Sequence, residues 1–122
     1  MYAHSKKQFY RECFIIGTVD FIFGHALAVF QNCQIKVCSP MKGDTVVIIA
    51  QSRDSDSLDS AFTIQNCRIT ANQDLPPMAK VFLGRPWTEL SPVVIIQSEL
   101  KAFVIQWAGR RGRTRTVNAV LR

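Results

Sequence analysis

The stretch Phe30-Gln31-Asn32-Cys33-Gln34-Ile35 recurs along the chain in related forms. Residues 10–15 (YRECFI) and 64–69 (IQNCRI) share its pattern, and residues 96–100 (IQSEL) are a weaker copy. The first two copies begin 20 residues apart, and the later ones follow at intervals of about 30. A repeat of this length is typical of a solenoid, in which each coil of the chain stacks on the previous one.

The apolar residues indicate strands rather than helices. They occur in runs of three or four, such as 46–49 (VVII) and 93–96 (VVII), which are separated by Gly, Pro, Asn or Ser. No segment keeps helical spacing for three turns. The sequence therefore predicts an all-β chain, a right-handed parallel β-helix (a single-stranded solenoid). The alternative is an antiparallel sandwich whose strands share the pattern by chance, and three copies of the pattern favour the solenoid.

Length and composition allow about one domain. The 122 residues are 48% hydrophobic and 20% charged, which excludes a disordered chain, and no apolar run approaches the ~18 residues of a membrane helix. The polar residues after Met1 do not resemble a signal peptide, so we expect none in this sequence. Five arginines in residues 110–122 account for most of the net charge of +6 and leave +1 for residues 1–109. We therefore predict a β-helix domain at 1–109 and a basic tail at 110–122, disordered or unrelated to it. Nucleic-acid binding by this tail is a lesser alternative.

The four cysteines have no zinc-type spacing, so we expect no metal site. On adjacent coils, Cys13 and Cys33 would have Cα atoms ~5 Å apart, within disulfide range. Cys38 and Cys67 have no such partner in register, and we expect them to be buried thiols. Composition alone leaves open free thiols or one or two disulfides.

Residues 17–24 (GTVDFIFG) place the carboxylate of Asp20 among Val, Phe and Ile. An isolated aspartate in such surroundings pays a large desolvation cost unless another group pairs with it. The alternative is that Asp20 points to solvent from a strand whose neighbours point inward.

Residues 83–87 (LGRPW) bring together a charge and a large flat ring. Arginine, here Arg85, is the residue that keeps a buried aspartate ionised through a bidentate pair. An exposed indole, here Trp87, is a surface on which a sugar ring stacks. The alternative is an ordinary turn with a core tryptophan.

These segments resemble those of plant-type pectin methylesterases (pectinesterases). Residues 17–24 match the family signature fully, and residues 8–13, 30–33 and 83–87 resemble family segments in family order. The resemblance runs from about Tyr2 to Ala108. It implies a right-handed parallel β-helix that removes methyl groups from the galacturonate esters of cell-wall pectin. It also implies an extracellular, cell-wall location and no metal or organic cofactor.

The resemblance assigns roles residue by residue. Asp20 matches the nucleophile that attacks the ester carbonyl and forms a covalent acyl intermediate. Arg85 matches the arginine that pairs with it, and Arg85 and Trp87 match the substrate-binding site. Cys13 and Cys33 match a cysteine pair that can form a disulfide.

The sequence also departs from the family pattern. The family's general acid, in Gln-Asp-Thr-Leu, would lie two residues before Met1, and the glutamines of the oxyanion hole would lie further upstream. His25 stands where the family usually has Asn, and the family pattern is lost from Ile105 onward. We therefore expect a central fragment, truncated at both ends, with little activity by itself.

The expected substrate is methyl-esterified pectin (homogalacturonan), and a proteinaceous pectinesterase inhibitor is a further candidate partner. We expect a monomer with no nucleic-acid or membrane partner. The alternative function is a non-catalytic module that binds pectin or another polysaccharide through Trp87 and Arg85.

Overall fold

The computed structural model describes residues 1–53, 55, 59–88, 90–101, 103–105, 115–116 and 120–121. The strands in chain order are β1 (Lys7–Arg11), β2 (Phe14–Gly17), β3 (Val19–Gly24), β4 (Leu27–Gln31), β5 (Gln34–Val37), β6 (Thr45–Gln51), β7 (Ala61–Gln65), β8 (Arg68–Ala71), β9 (Lys80–Gly84), β10 (Val93–Ile96), β11 (Glu99–Leu100), β12 (Val104–Ile105), β13 (Arg115–Thr116) and β14 (Val120–Leu121).

The strands form three parallel sheets, with the orders β1-β4-β7-β10-β13, β2-β5-β8-β11-β14 and β3-β6-β9-β12. Each of the first four coils thus gives one strand to each sheet, and each pairs with the coil that follows it. This arrangement is a parallel β-helix, as the repeat predicts, and it excludes the antiparallel sandwich.

Equivalent residues of the repeat lie one above another. Tyr10, Phe30 and Ile64 share one position of the first sheet, and their strands pair without a register shift. Lys7 pairs with Leu27, which in turn pairs with Ala61, so successive coils differ in length. The extra residues of the longer coils lie in connections outside the stacked strands, and the register therefore persists.

A left-handed backbone corner separates the first sheet from the second in four successive coils. The corner residues, with φ between 50° and 55°, are Glu12, Asn32, Asn66 and Gln97. Asn adopts this conformation more readily than most residues because its short polar side chain bonds locally. The Asn66 side-chain amide also donates to Asn32 Oδ1 at 2.8 Å, which links two coils. The Asn of the repeat therefore marks the corner.

The inward faces of the three sheets share one core of stacked apolar side chains. The Tyr10 ring stacks on Phe30 with centroids 5.0 Å apart, and Phe30 contacts the edge of Phe62 at 5.7 Å. In the second sheet, Ile35 pairs with Ile69, and both are fully buried. The alternating burial of these strands follows the period of two expected of a sheet with one inward face.

The cysteines of the repeat form a column just after the corner. The Cys33 N–H donates to Cys67 Sγ at 3.4 Å, and the Cys67 N–H donates to Ser98 Oγ at 3.0 Å. The expectation that Cys67 has no partner in register is therefore wrong, because the longer connection between their coils lies outside the corner. Cys38 is half-buried rather than buried. The structure shows no disulfide among these four cysteines, and the disulfide between Cys13 and Cys33 stays a prediction.

Most of the predicted tail lies outside the described residues. Within it, β13 pairs with β10, and β14 pairs with β11. The division into residues 1–109 and 110–122 stays a prediction. Among the residues the structure describes, no helix is long and apolar enough to cross a membrane.

Candidate active site

Asp20 lies at an irregularity in β3. The pairing of β3 with β6 shifts by one residue between Val19 and Ile22, so this part of β3 is bulged. Asp20 has a φ of 49°, a left-handed conformation that is rare for residues other than Gly. A bulge re-aims the side chains it contains and is common next to active sites. As a result, Phe21 and Ile22 are both buried, and the Asp20 side chain is only 13% exposed.

Two glycines of the segment 17–24 make room for this geometry. A Cβ atom at Gly17 would lie 2.4 Å from the Phe21 side chain, which is far inside contact distance. Gly24 has a φ of 127°, and a Cβ atom there would lie 2.1 Å from the carbonyl oxygen of Ala3. Neither position therefore has room for a side chain, Gly17 because of Phe21 and Gly24 because of Ala3.

The structure brings Arg85 to Asp20 across 65 residues of sequence. Arg85 Nε donates to Asp20 Oδ1 at 3.0 Å, and Arg85 Nη2 donates to Asp20 Oδ2, so the pair is bidentate. Arg85 follows β9, which is two strands away from β3 in the same sheet, a distance of ~10 Å that an extended arginine can span. The backbone N–H of Arg85 donates to the carbonyl of Ile49 in the intervening strand β6.

The electrostatics of the pair favour the charged form of the Arg85 guanidinium. The hydrogen bond to Asp20 raises the pKa of Arg85; partial burial opposes this effect and the attraction to the carboxylate adds to it. The Arg85 side chain is 49% exposed, so solvent reaches one side of the guanidinium. The carboxylate is therefore fixed in direction, and the site stays open to a ligand.

Trp87 lies beside this pair and is 60% exposed, so it is not a core tryptophan. Its backbone N–H donates to the carbonyl of Gln51 at 3.2 Å. Two adjoining depressions share the ring. The first, of about 240 Å³, is lined by Arg85, Pro86 and Trp87. The second, of about 220 Å³, is lined by Tyr2, Phe23, Gly24, His25, Ala50, Ser52 and Trp87.

Most residues of the second depression were not assigned to the site from the sequence. Tyr2 and Phe23 stack with ring centroids 4.8 Å apart, although 21 positions separate them. The only signal for them was their place in or beside the segments of family resemblance. Thr88 was also missed; its Oγ1 accepts the N–H of Arg53 at 3.0 Å and holds the chain that follows Trp87. Nothing in the local sequence distinguishes this threonine.

The chemistry available at this site is that of a single carboxylate held by an arginine. Within the described ranges, no three His, Cys, Asp or Glu side chains lie close enough together to hold a metal ion. A largely buried carboxylate held by two guanidinium hydrogen bonds can attack an electrophilic carbon or stabilise a cation. An exposed aromatic ring beside it suits a sugar.

Fold and site together define a parallel β-helix protein with an arginine-held carboxylate and an exposed tryptophan on its surface. The pectinesterase family model matches residues 1–116, and the chain belongs to the pectinesterase family. The resemblance deduced from the sequence is thereby confirmed.

Named relatives agree with this assignment. "Probable pectinesterase 56" of Arabidopsis thaliana is 52% identical over 101 residues, which are 80% of this chain and 35% of that protein. "Probable pectinesterase/pectinesterase inhibitor 19" of the same plant is 50% identical over 118 residues, which are 92% of this chain and 22% of that protein.

Among solved structures, the pectin methylesterase from carrot is 34% identical, with a TM-score of 0.87. The match covers 99% of this chain and 43% of the carrot chain. This chain thus spans about a third or less of the curated relatives' length and less than half of the solved structure.

Proposed function

We propose that this chain carries the nucleophile half of a pectin methylesterase site, which hydrolyses the methyl esters of galacturonate in cell-wall pectin. The observation that carries the proposal is the bidentate pair of Asp20 and Arg85 at a bulged strand. Membership of the pectinesterase family supports the reaction and the substrate.

Asp20 is the nucleophile of the proposed reaction. A carboxylate oxygen attacks the carbonyl carbon of the methyl ester and forms a new C–O bond. The tetrahedral intermediate then collapses, the bond to the methoxy group breaks, and the methoxide takes up a proton and leaves as methanol. The product on the chain is a mixed anhydride of Asp20 and the sugar. Water hydrolyses it, which restores the Asp20 carboxylate and gives a free galacturonate carboxylate and two protons. One of these replaces the proton that the methoxide took up, so the whole reaction releases one proton.

Arg85 keeps the nucleophile charged and directed. Its two hydrogen bonds fix both carboxylate oxygens of Asp20. The left-handed backbone of Asp20 also limits how the Asp20 side chain can turn. Fixed orientation lowers the entropy that must be lost on reaching the transition state. Because about half of the Arg85 side chain is exposed, it can also contact a polar group of the bound sugar.

Trp87 supplies the stacking surface of the proposed site. Its ring is exposed and borders both depressions, so a sugar that stacks on it lies next to the Asp20–Arg85 pair. Apolar stacking with a few directed polar groups is the usual composition of a small-molecule site.

Partner and location follow from the relatives as proposals. The names of relatives combine pectinesterase with pectinesterase inhibitor, which supports a proteinaceous inhibitor as a second partner beside pectin. We place the protein outside the cell, in the plant cell wall, because that is where its proposed substrate occurs.

Methanol release from methyl-esterified pectin tests the proposal. We expect Asp20→Asn to lower the rate at least ~10³-fold, because a neutral amide cannot replace the nucleophile. Arg85→Lys should lower it ~10²-fold, because lysine cannot form the bidentate pair. Asp74→Asn is the matched control, since Asp74 is an exposed carboxylate on a turn and its change should leave the rate unaltered.

Two outcomes would contradict the esterase assignment. Methanol release that survives Asp20→Asn would exclude Asp20 as the nucleophile. Pectin that is retained on the immobilised chain without any Asp20-dependent methanol release would support the non-catalytic binding module instead.

A further inference from the structure

Two histidines meet at the edge of the second depression, and the proposed ester hydrolysis uses neither. The rings of His4 and His25 have centroids 4.9 Å apart at an angle of 61°. The His25 N–H also donates to the carbonyl of His4, so the backbone holds the two residues together. His25 lines the depression with Trp87, and its side chain is half-buried.

The groups around His25 leave it as the principal charge-bearing side chain of this depression. From the segment before β1 come His4 and the phenol of Tyr2, whose ring lies 6.4 Å from His25. Strand β6 and the residue after it contribute Ala50 and Ser52, which do not titrate, and no Asp or Glu is among the lining residues. Arg85 borders the neighbouring depression and is already paired with a carboxylate.

This arrangement suits an anion when the imidazoles are protonated. Imidazole gains a proton within the range of about pH 8 to 5. Two imidazolium rings in contact repel each other, and a bound carboxylate relieves this repulsion and accepts a charge-assisted hydrogen bond. The aromatic rings in the same wall can stack on the sugar that carries this carboxylate.

We propose that His25, backed by His4, makes the second depression a pH-dependent subsite for an unesterified uronic acid carboxylate. A sugar residue seated there would be one that has already lost its methyl group, next to the ester presented to Asp20. The inference rests on the proposed function only for the identity of the sugar. It implies that the chain favours partly demethylated pectin under acidic conditions.

Binding of defined oligomers tests this subsite without relying on turnover. Calorimetry would compare unesterified oligogalacturonate with its fully methyl-esterified form at pH 5 and pH 8. The background is Asp20→Asn with Arg85→Gln, which prevents hydrolysis and leaves no unpaired guanidinium beside the subsite. We expect a three- to tenfold preference for the unesterified oligomer at pH 5, which should vanish at pH 8. In His25→Asn the preference should be absent at both pH values.

A second variant and a matched control keep the outcome clear. His25→Lys supplies a charge at both pH values, so its preference should persist at pH 8. Lys80→Gln removes a positive charge at the other end of β9, ~13 Å of strand away from Gly84, and should keep the wild-type behaviour. A preference that survives His25→Asn, or that is absent at pH 5 in the parent, would overturn the inference. If the parent chain releases no more methanol than Asp20→Asn while the preference for the unesterified oligomer is intact, the proposed function is overturned and this inference stands.

Discussion

Three glycine-to-alanine substitutions test how the segment 17–24 builds the site. Gly43 has a φ of 76°, and nothing lies within 4 Å of the position that a Cβ atom would take, so alanine there meets backbone strain alone. At Gly17 an alanine would meet a collision alone, because the φ of Gly17 is not in the left-handed region and a Cβ atom would collide with Phe21. Gly24 combines both, since its φ is 127° and the colliding atom is the backbone oxygen of Ala3.

The expected costs follow from these differences. Gly43→Ala should lower the free energy of unfolding by ~1 kcal/mol, the strain of a left-handed alanine. Gly17→Ala should cost ~1–3 kcal/mol, because the buried Phe21 ring must move within a packed core. Gly24→Ala should cost ~3–5 kcal/mol, since the shift of Ala3 also breaks its backbone hydrogen bonds to Phe23 and Ala26.

Urea unfolding followed by tryptophan fluorescence measures the three values under the same conditions. The order of destabilisation should be Gly24→Ala, then Gly17→Ala, then Gly43→Ala. Methanol release, measured well below the unfolding transition, should fall in Gly17→Ala and stay unchanged in Gly43→Ala, because only the former displaces the neighbour of Asp20. If Gly43→Ala were as destabilising as Gly24→Ala, the collision with Ala3 would not be what the glycine avoids.

Further predictions concern the corner, the cysteine column and the turn after Trp87. Glu12→Asn should raise the free energy of unfolding by ~1 kcal/mol, because Asn suits the left-handed corner and can hydrogen-bond to Asn32 as Asn66 does. Unfolding in urea checks this value, and a loss of stability would contradict it. Burial raises the pKa of Cys67 from 9.0 to about 11, so the unfolded chain loses this proton first as the pH rises. The free energy of unfolding of the reduced chain should therefore fall by ~2 kcal/mol between pH 9 and pH 11, and Cys67→Ala should remove that part of the decline. Thr88→Val keeps the side-chain shape but leaves the Arg53 N–H without its hydroxyl acceptor, and should cost ~1–2 kcal/mol in the same unfolding assay; an unchanged midpoint would show that this bond holds nothing in place.

The fold could be predicted because each coil repeats a local preference. The Asn of the repeat suits the corner conformation, and the alternating apolar residues on both sides of it form the inward faces of two sheets. Gln97, in the weakest copy, still occupies the same corner, so the spacing of the pattern was more informative than its residue identities.

The contact between Cys33 and Cys67 could not be predicted from the sequence. The interval between Cys13 and Cys33 equals a coil without an insertion, and their neighbourhood was therefore foreseeable. Cys33 and Cys67 lie on longer coils, and the sequence does not show whether the added residues fall inside or outside the stacked strands. The structure puts them outside, which brings these two thiols together.

The amino-acid order alone determined that short strands stack in coils and that one carboxylate is flanked by two glycines among apolar residues. These properties depend on backbone preference and burial, which act over a few neighbouring residues. Only the tertiary structure decided that Arg85 crosses β6 to reach Asp20, that the bulge turns Asp20 toward it, and that His4 meets His25 beside Trp87. Those contacts join different coils. They therefore depend on whether the extra residues of each connection lie inside or outside the stacked strands, which sets the register of the next strand.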